Sequence, residues 1–262
     1  MKLAIFGASG RMGRAVARLA QESTDISLVG AIASADDAML GRDVGEVAGV
    51  GAVGVEISSD IRAGLLGAEV VIDFSIASAV RPLYLACASS GVALVSGTTN
   101  LDDAAHEALR AAAEKVAVVW APNMSRGVQV LAEVVALAMR RLGAEFDVEI
   151  VEVHHRRKVD SPSGTAVRLL EAAKQVRPEL TEVAGRSGQV GPRRQEEAGV
   201  FGVRGGDVIG DHTVHLLGQS ERLELTHRAT GRDLFARGAL SAARFCVGQP
   251  AGIYSIADVL GG

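Results

Sequence analysis

The chain has 262 residues, of which 48% are hydrophobic and 22% charged, and its formal net charge is -4. That length and apolar content support a well-buried globular protein of one large or two modest domains. The acidic balance argues against a general nucleic-acid surface, which carries a basic excess, and 3% aromatic residues leave little material for base stacking.

The opening MKLAIFGASG has one lysine and then a short apolar run broken by glycines. It is too short to span a membrane and has no signal-peptide cleavage pattern, so no membrane association is expected and the protein reads as cytoplasmic. KLAIFG is consistent with a buried parallel strand. RMGRAVARLAQES follows with Met12, Val16, Leu19 and Ala20 at helical spacing, and ISLVGAIAS reads as a second strand.

Between the first strand and the helix lies Gly7-Ala8-Ser9-Gly10-Arg11-Met12-Gly13, a G-x-x-G-x-x-G turn. Glycine lets the backbone bend tightly and approach a pyrophosphate, while N–H groups at the helix start hold phosphate oxygens. Glycine triplets also serve plain turns; the strand-turn-helix-strand setting makes this one a dinucleotide candidate. An NAD-selective unit usually places an acidic residue at the end of its second strand, on the ribose hydroxyls. Here that region reads Ala33-Ser34-Ala35, with Asp36 and Asp37 just beyond and no adjoining arginine, so the choice between NADH and NADPH stays open.

The alternation continues with EVVIDFS, VALVSGTTN and VAVVWAPNMS as strands and AVRPLYLACASSG and LDDAAHEALRAAAEK as helices. The strands end in Asp73-Phe74-Ser75, Gly97-Thr98-Thr99 and Ala121-Pro122-Asn123-Met124. In open parallel sheets ligands sit beyond the carboxyl ends of the strands, so these segments are candidates to line the nicotinamide end of a cofactor site. Ordinary loop chemistry also applies: Asn100 looks like the N-cap of the following helix. Cys87 and Cys246 sit in apolar surroundings without ligand-like spacing and read as buried free thiols. The expected architecture is α/β, an N-terminal Rossmann-like, doubly wound parallel sheet.

Beyond Ser125, RGVQVLAEVVALAMRRLG is a helix by periodicity, with Val128, Leu131, Val135 and Met139 on one stripe. FDVEIVEVHH turns strand-like. From about Gly185 to Gly206 the sequence is glycine- and arginine-rich without periodicity and reads as a long loop. DHTVHLLG and RLELTHRA resume strand patterning and could pair antiparallel. Residues 126–231 are therefore expected to form a second, α+β domain, with residues 1–125 and 232–262 making the first.

The segment EVHHRRKVDSPSGTA, Glu152 to Ala166, sets His154, His155, Arg156, Arg157 and Lys158 ahead of Ser161-Pro162-Ser163-Gly164-Thr165. Ser161 is the expected N-cap of a helix through AVRLLEAAKQV, with Pro162 at its first position. Exposed N–H groups of Ser163, Gly164 and Thr165 would then face an anion, helped by the helix dipole. A metal site fits poorly, since adjacent His154 and His155 on a strand point to opposite faces, as do His212 and His215. A nucleic-acid patch fits poorly in an acidic chain. A solvated basic loop is the plain reading of such a run, but beside a dinucleotide turn a small carboxylated substrate accounts for both halves of the motif.

The motifs GASGRMG, SGTTNL, APNMSRGV, EVHHRRKVDSPSGTA, RGGDVIGDHTVHLLG, ERLELTHRA and FARGAL...GIYSIADVL together resemble the 4-hydroxy-tetrahydrodipicolinate (dihydrodipicolinate) reductase family across essentially the whole chain. The resemblance implies an NADH- or NADPH-dependent oxidoreductase of lysine and diaminopimelate synthesis that reduces a cyclic dicarboxylate imine. It further implies a cytoplasmic homotetramer assembled through the second domain. By motif, His154 is the expected proton donor or acceptor and Lys158 a second donor, with His155, Gly164 and Thr165 on the substrate carboxylate. Gly7, Ala8, Ser9, Gly10, Arg11, Met12, Gly97, Thr98, Thr99, Ala121, Pro122, Asn123 and Met124 are the expected cofactor contacts, and no metal is expected. A lysine crowded by Arg156, Arg157 and histidines could have its pKa lowered toward use. The alternatives are another two-domain NAD(P)-dependent dehydrogenase of amino-acid metabolism and a non-catalytic dinucleotide-sensing protein.

Overall fold

A computed structural model describes residues 1–261. Contacts divide the chain into Met1–Met124 with the segment from Asp233 onward, and Ser125–Arg232. The chain runs β1 (Lys2–Phe6), α1 (Arg11–Gln21), β2 (Ser27–Ile32), α2 (Val44–Ala48), β3 (Ile57–Ser58), α3 (Ile61–Leu65), β4 (Val70–Asp73), α4 (Val80–Ser90), β5 (Ala93–Ser96), α5 (Asp103–Ala113) and β6 (Ala117–Trp120). The second unit holds α6 (Arg126–Leu142), β7 (Asp147–His154), α7 (Gly164–Val176), β8 (Thr181–Val183), β9 (Glu197–Arg204), β10 (Asp211–Leu217) and β11 (Arg222–Arg228). The first unit is completed by α8 (Asp233–Cys246), β12 (Gly252–Tyr254) and α9 (Ile256–Val259). Among the described residues no helix is long and apolar enough to cross a membrane.

In the first unit the strands form one parallel sheet in the order β12-β6-β5-β4-β1-β2-β3. Successive residues of a strand face opposite sides. Leu3 and Ile5, Val70 and Ile72, Ala93 and Val95 therefore pack with α1 and α8 on one side. Ala4 and Phe6, Val71 and Leu94 pack with α4 and α5 on the other. A strand buried on both faces must be apolar throughout, which is why these strands read as unbroken apolar runs. Asn100 is not a helix cap: its φ is 57°, and α5 begins later, with the Asp102 carboxylate accepting from Ala105 N–H. An aspartate nearer the helix start outcompetes it for the same orphan donors.

In the second unit the sheet order is β11-β10-β7-β9-β8, with β7 antiparallel to β10 and parallel to β9. Strand β7 alternates strictly between partly and fully buried residues, and Val148 and Ile150 pack under α6 and α7. On α6, Val128, Leu131, Val135 and Met139 form the buried stripe. Strands β10 and β11 pair antiparallel over seven residue pairs, Asp211–Arg228 to Leu217–Arg222.

The stretch from Gly185 to Gly206 is not one long loop. Its second half is β9, an interior strand between β7 and β8. A Cβ at Gly199 would lie 1.8 Å from Glu149 Oε2, and one at Gly202 would lie 2.3 Å from Ser161 Oγ. Glycine is required there because neighbouring side chains occupy the space, and that requirement hides the strand's periodicity.

Candidate active site

In the first unit the glycine turn, Gly97-Thr98-Thr99 and Ala121–Met124 follow β1, β5 and β6, so all lie beyond the carboxyl ends of one sheet. Gly7 has φ +79°, a left-handed value that glycine adopts readily. A Cβ on Gly7 would sit 2.8 Å from Phe74 O, and one on Gly13 would sit 2.2 Å from Gly7 O. Helix α1 starts on Gly10 with no side chain capping its first turn. This cradle, closed to any side chain and ringed by helix-start N–H groups, fits a dinucleotide pyrophosphate.

Asp37 extends the cradle. Its Oδ2 accepts from Ser9 Oγ at 2.5 Å and its Oδ1 from Met39 N–H at 2.8 Å. The Ser9 hydrogen bond holds the Asp37 carboxyl below the usual range. The acid that Ala33-Ser34-Ala35 lacks is thus present near the turn, four residues further along than Ala33 and engaged with Ser9 itself.

Asp73, at the end of β4, is fully buried and organises the neighbouring strand ends. Ser96 Oγ and Thr98 Oγ1 donate to its Oδ2 at 2.7 and 2.9 Å, and Ser75 N–H donates to its Oδ1 at 2.9 Å. Burial pushes its pKa up, against the pull of these donors. Trp120 Nε1 donates to Thr98 O at 3.1 Å, and a Cβ on Gly97 would lie 2.2 Å from the Phe74 ring. Thr98 therefore turns its hydroxyl inward, and Met124 buries its side chain in the core.

In the second unit β7 delivers Glu152 and His154, two residues apart and so on one face. Glu152 is fully buried and its carboxylate is saturated. Oε2 meets His154 Nδ1 at 2.5 Å and Arg204 Nη1 at 2.7 Å; Oε1 meets Arg204 Nη2 at 2.7 Å and Ser163 N–H at 3.0 Å. Burial opposes the charge on Glu152, but the hydrogen bonds from Arg204 and His154 prevail and hold the carboxyl below its usual range. Burial lowers the pKa of His154; Glu152 pulls it back, while the charges of Lys158 and Arg204 press it further down.

Helix α7 begins one serine later than expected. Its N-cap is Ser163, whose Oγ accepts from Ala166 N–H at 3.2 Å, so Ser161 and Pro162 lie outside the helix. The N–H of Ser163 is spent on Glu152, so it is not an exposed anion donor. Gly164 opens the helix with nothing within 4 Å of an added Cβ, and Thr165 follows in the first turn. His155 carries a buried Nδ1 with no hydrogen-bond partner.

Arg156 and Arg157 are exposed, and the contacts of Lys158 are with a carboxylate. The Lys158 ammonium lies 2.8 Å from both Asp160 carboxylate oxygens, and this pair lowers the Asp160 pKa. His212, missed by sequence reasoning, stands 2.9 Å from Ser163 Oγ and packs edge-on against the His154 ring, centroids 5.0 Å apart. Burial lowers its pKa to about 4. Among the described residues no group of three or more His, Cys, Asp or Glu side chains could hold a metal ion.

A doubly wound dinucleotide unit joined to a mixed-sheet unit carrying a buried Glu-His-His cluster defines a nicotinamide-dependent oxidoreductase. The description "Dihydrodipicolinate reductase, N-terminus" matches residues 1–124, and "Dihydrodipicolinate reductase, C-terminus" matches residues 127–260. The chain belongs to the dihydrodipicolinate reductase family. It is 49% identical to 4-hydroxy-tetrahydrodipicolinate reductase of Methanopyrus kandleri, over 98% of this chain and 96% of that one. It is 47% identical to the protein of that name from Anaeromyxobacter sp. strain Fw109-5, over 100% of this chain and 98% of that one. The fold matches a dipicolinate-bound dihydrodipicolinate reductase from Paenisporosarcina sp. TG-14 at TM-score 0.77 and 21% identity, over 97% of each chain.

Proposed function

We propose that this protein is an NAD(P)H-dependent 4-hydroxy-tetrahydrodipicolinate reductase of lysine and diaminopimelate synthesis, and that His154 handles the proton. The observation that carries the reading is the buried Glu152–His154 pair, 2.5 Å apart, beside the start of α7. When bound, NADH or NADPH would supply a hydride to the double bond conjugated with the imine. Hydride addition to a conjugated imine leaves negative charge on the ring, which a positioned acid must quench with a proton.

Desolvation favours a neutral His154 in the free protein. A dicarboxylate brings negative charge, which raises the pKa of a neighbouring imidazole and loads it with the proton it must donate. Lys158 is the second donor, and its release from Asp160 would accompany substrate binding. His155, Gly164 and Thr165 take a carboxylate, the first through its unpaired ring nitrogen and the others from the positive end of α7. Gly7 through Met12 hold the cofactor pyrophosphate, while Gly97-Thr98-Thr99 and Ala121 through Met124 line its nicotinamide end. Residues 126–231 serve substrate binding and assembly into a homotetramer, and residues 1–125 with 232–262 serve the dinucleotide. The protein is cytoplasmic, a reading supported by its two buried free cysteines.

Freshly generated dihydrodipicolinate mixed with NADH and, in parallel, NADPH tests the activity. Oxidation of at least one cofactor, dependent on the imine, is the expected result; no oxidation of either refutes the reading.

A further inference from the structure

Glu152 is a fully buried carboxylate whose two oxygens are both committed, and nothing in the reaction requires it to touch substrate. We infer that Glu152, clamped by Arg204, is a positioning residue that fixes the tautomer of His154, placing a proton on Nδ1 and making Nε2 the nitrogen that exchanges a proton with substrate. The inference rests on the reading that His154 serves the reduction.

Three observations carry it. First, Arg204 meets both carboxylate oxygens at 2.7 Å, a fork geometry that keeps Glu152 ionised. An ionised carboxylate can only accept, so the ring nitrogen 2.5 Å away must donate, and that nitrogen is Nδ1. Second, the other edge of the ring is kept clear: a Cβ at position 210 would lie 2.8 Å from His154 Nε2, and the residue there is glycine. Third, the ring is held. His212 packs edge-on against it at an interplanar angle of 74°, and His154 O accepts from Gly205 N–H at 2.9 Å.

The charged and titratable groups acting on the pair come from every neighbouring strand. They are Glu152 on β7 itself, Arg204 on β9, His212 on β10 with His227 opposite it on β11, and Lys158 in the segment after β7. Of these only Glu152 favours the imidazolium. Its removal therefore leaves His154 harder to protonate as well as free to choose the other tautomer.

Nitrogen-15 NMR of the imidazoles, assigned with His154→Gln, tests this directly in the wild-type chain. His154 protonated on Nδ1 at neutral pH is the expected result; a predominantly Nε2-protonated ring overturns the inference. In Glu152→Gln the amide can present an N–H to Nδ1, so the proton should move to Nε2. Turnover should then fall roughly 100-fold, the scale of a positioned acid or base, with unchanged KM for NAD(P)H and an alkaline limb of the pH profile moved to lower pH. A folded Glu152→Gln protein with the wild-type tautomer and turnover also overturns it. A wild-type chain that reduces no imine removes the reductase reading, yet the tautomer measurement still decides the role of Glu152.

Discussion

Ser163 Oγ lies 2.9 Å from His212 Nε2, so the residue that caps α7 is fastened to strand β10. The same serine gives its N–H to Glu152 on β7. One residue thus ties the start of the helix to two strands, its side chain to β10 and its backbone N–H to β7, and sets where Gly164 and Thr165 stand.

Ser163→Ala removes the cap and leaves the buried His212 nitrogen without its partner. The expected loss of stability is about 1–2 kcal/mol in urea denaturation. KM for the dicarboxylate should rise while KM for the cofactor holds. Unchanged stability together with unchanged KM would show that this tie does not position the helix.

The pH dependence of stability follows from His212. Burial holds its pKa at about 4 in the folded chain against an ordinary imidazole value of 6.5, so the unfolded chain binds the proton more readily. Stability from this group is complete above about pH 6.5, falls as the pH drops toward 4, and is flat below that. The difference amounts to about 3 kcal/mol at most. His154 and His227 shift in the same direction and add to the loss. Glu152, lowered instead, contributes stability above its unfolded value that disappears at still lower pH. Urea midpoints of His212→Gln and wild type between pH 7 and 4 check the sign: the slope should flatten in the variant.

Gly164→Val has room for its side chain, since nothing lies within 4 Å of an added Cβ. The fold should be intact, and KM for the dicarboxylate should rise roughly tenfold or more as the branched side chain obstructs the helix-start N–H groups. NAD(P)H affinity should stay as it is. Equal losses for both ligands in steady-state kinetics would speak against a substrate role for this turn.

Gly13→Ala has the opposite character. Its Cβ would lie 2.2 Å from Gly7 O and 2.7 Å from Ala8 Cα, so backbone must move. The expected outcome is a cost of about 1–3 kcal/mol in stability and weaker NAD(P)H binding by fluorescence titration, with the second unit's substrate contacts untouched. Wild-type cofactor affinity in this variant would separate the glycine turn from cofactor binding.

Much of the first unit is legible in the sequence because burial on both faces forces its strands to be continuous apolar runs. The histidine motif is legible as a cluster, but its working partner is less so. Glu152 begins the motif, and strand alternation alone would have put it on the His154 face. Arg204 left no such trace. It ends a strand whose glycines exist because Glu149, Phe201, Ser161 and Glu152 fill the space a side chain would take, and no local window contains that information. His212 reaches the site only through the register of β10 against β7, where it stands opposite Glu152. Asp73 was visible as a strand end; its role as a hub for Ser96 and Thr98 depends on parallel neighbours far away in sequence.

The most direct test of the central claim is a single-turnover comparison of wild type and His154→Ala, mixing freshly generated imine with enzyme saturated in its preferred nicotinamide cofactor. The variant should bind both ligands as wild type does and oxidise the cofactor roughly 100-fold more slowly or worse. Oxidation at the wild-type rate would contradict the assignment of the proton to His154.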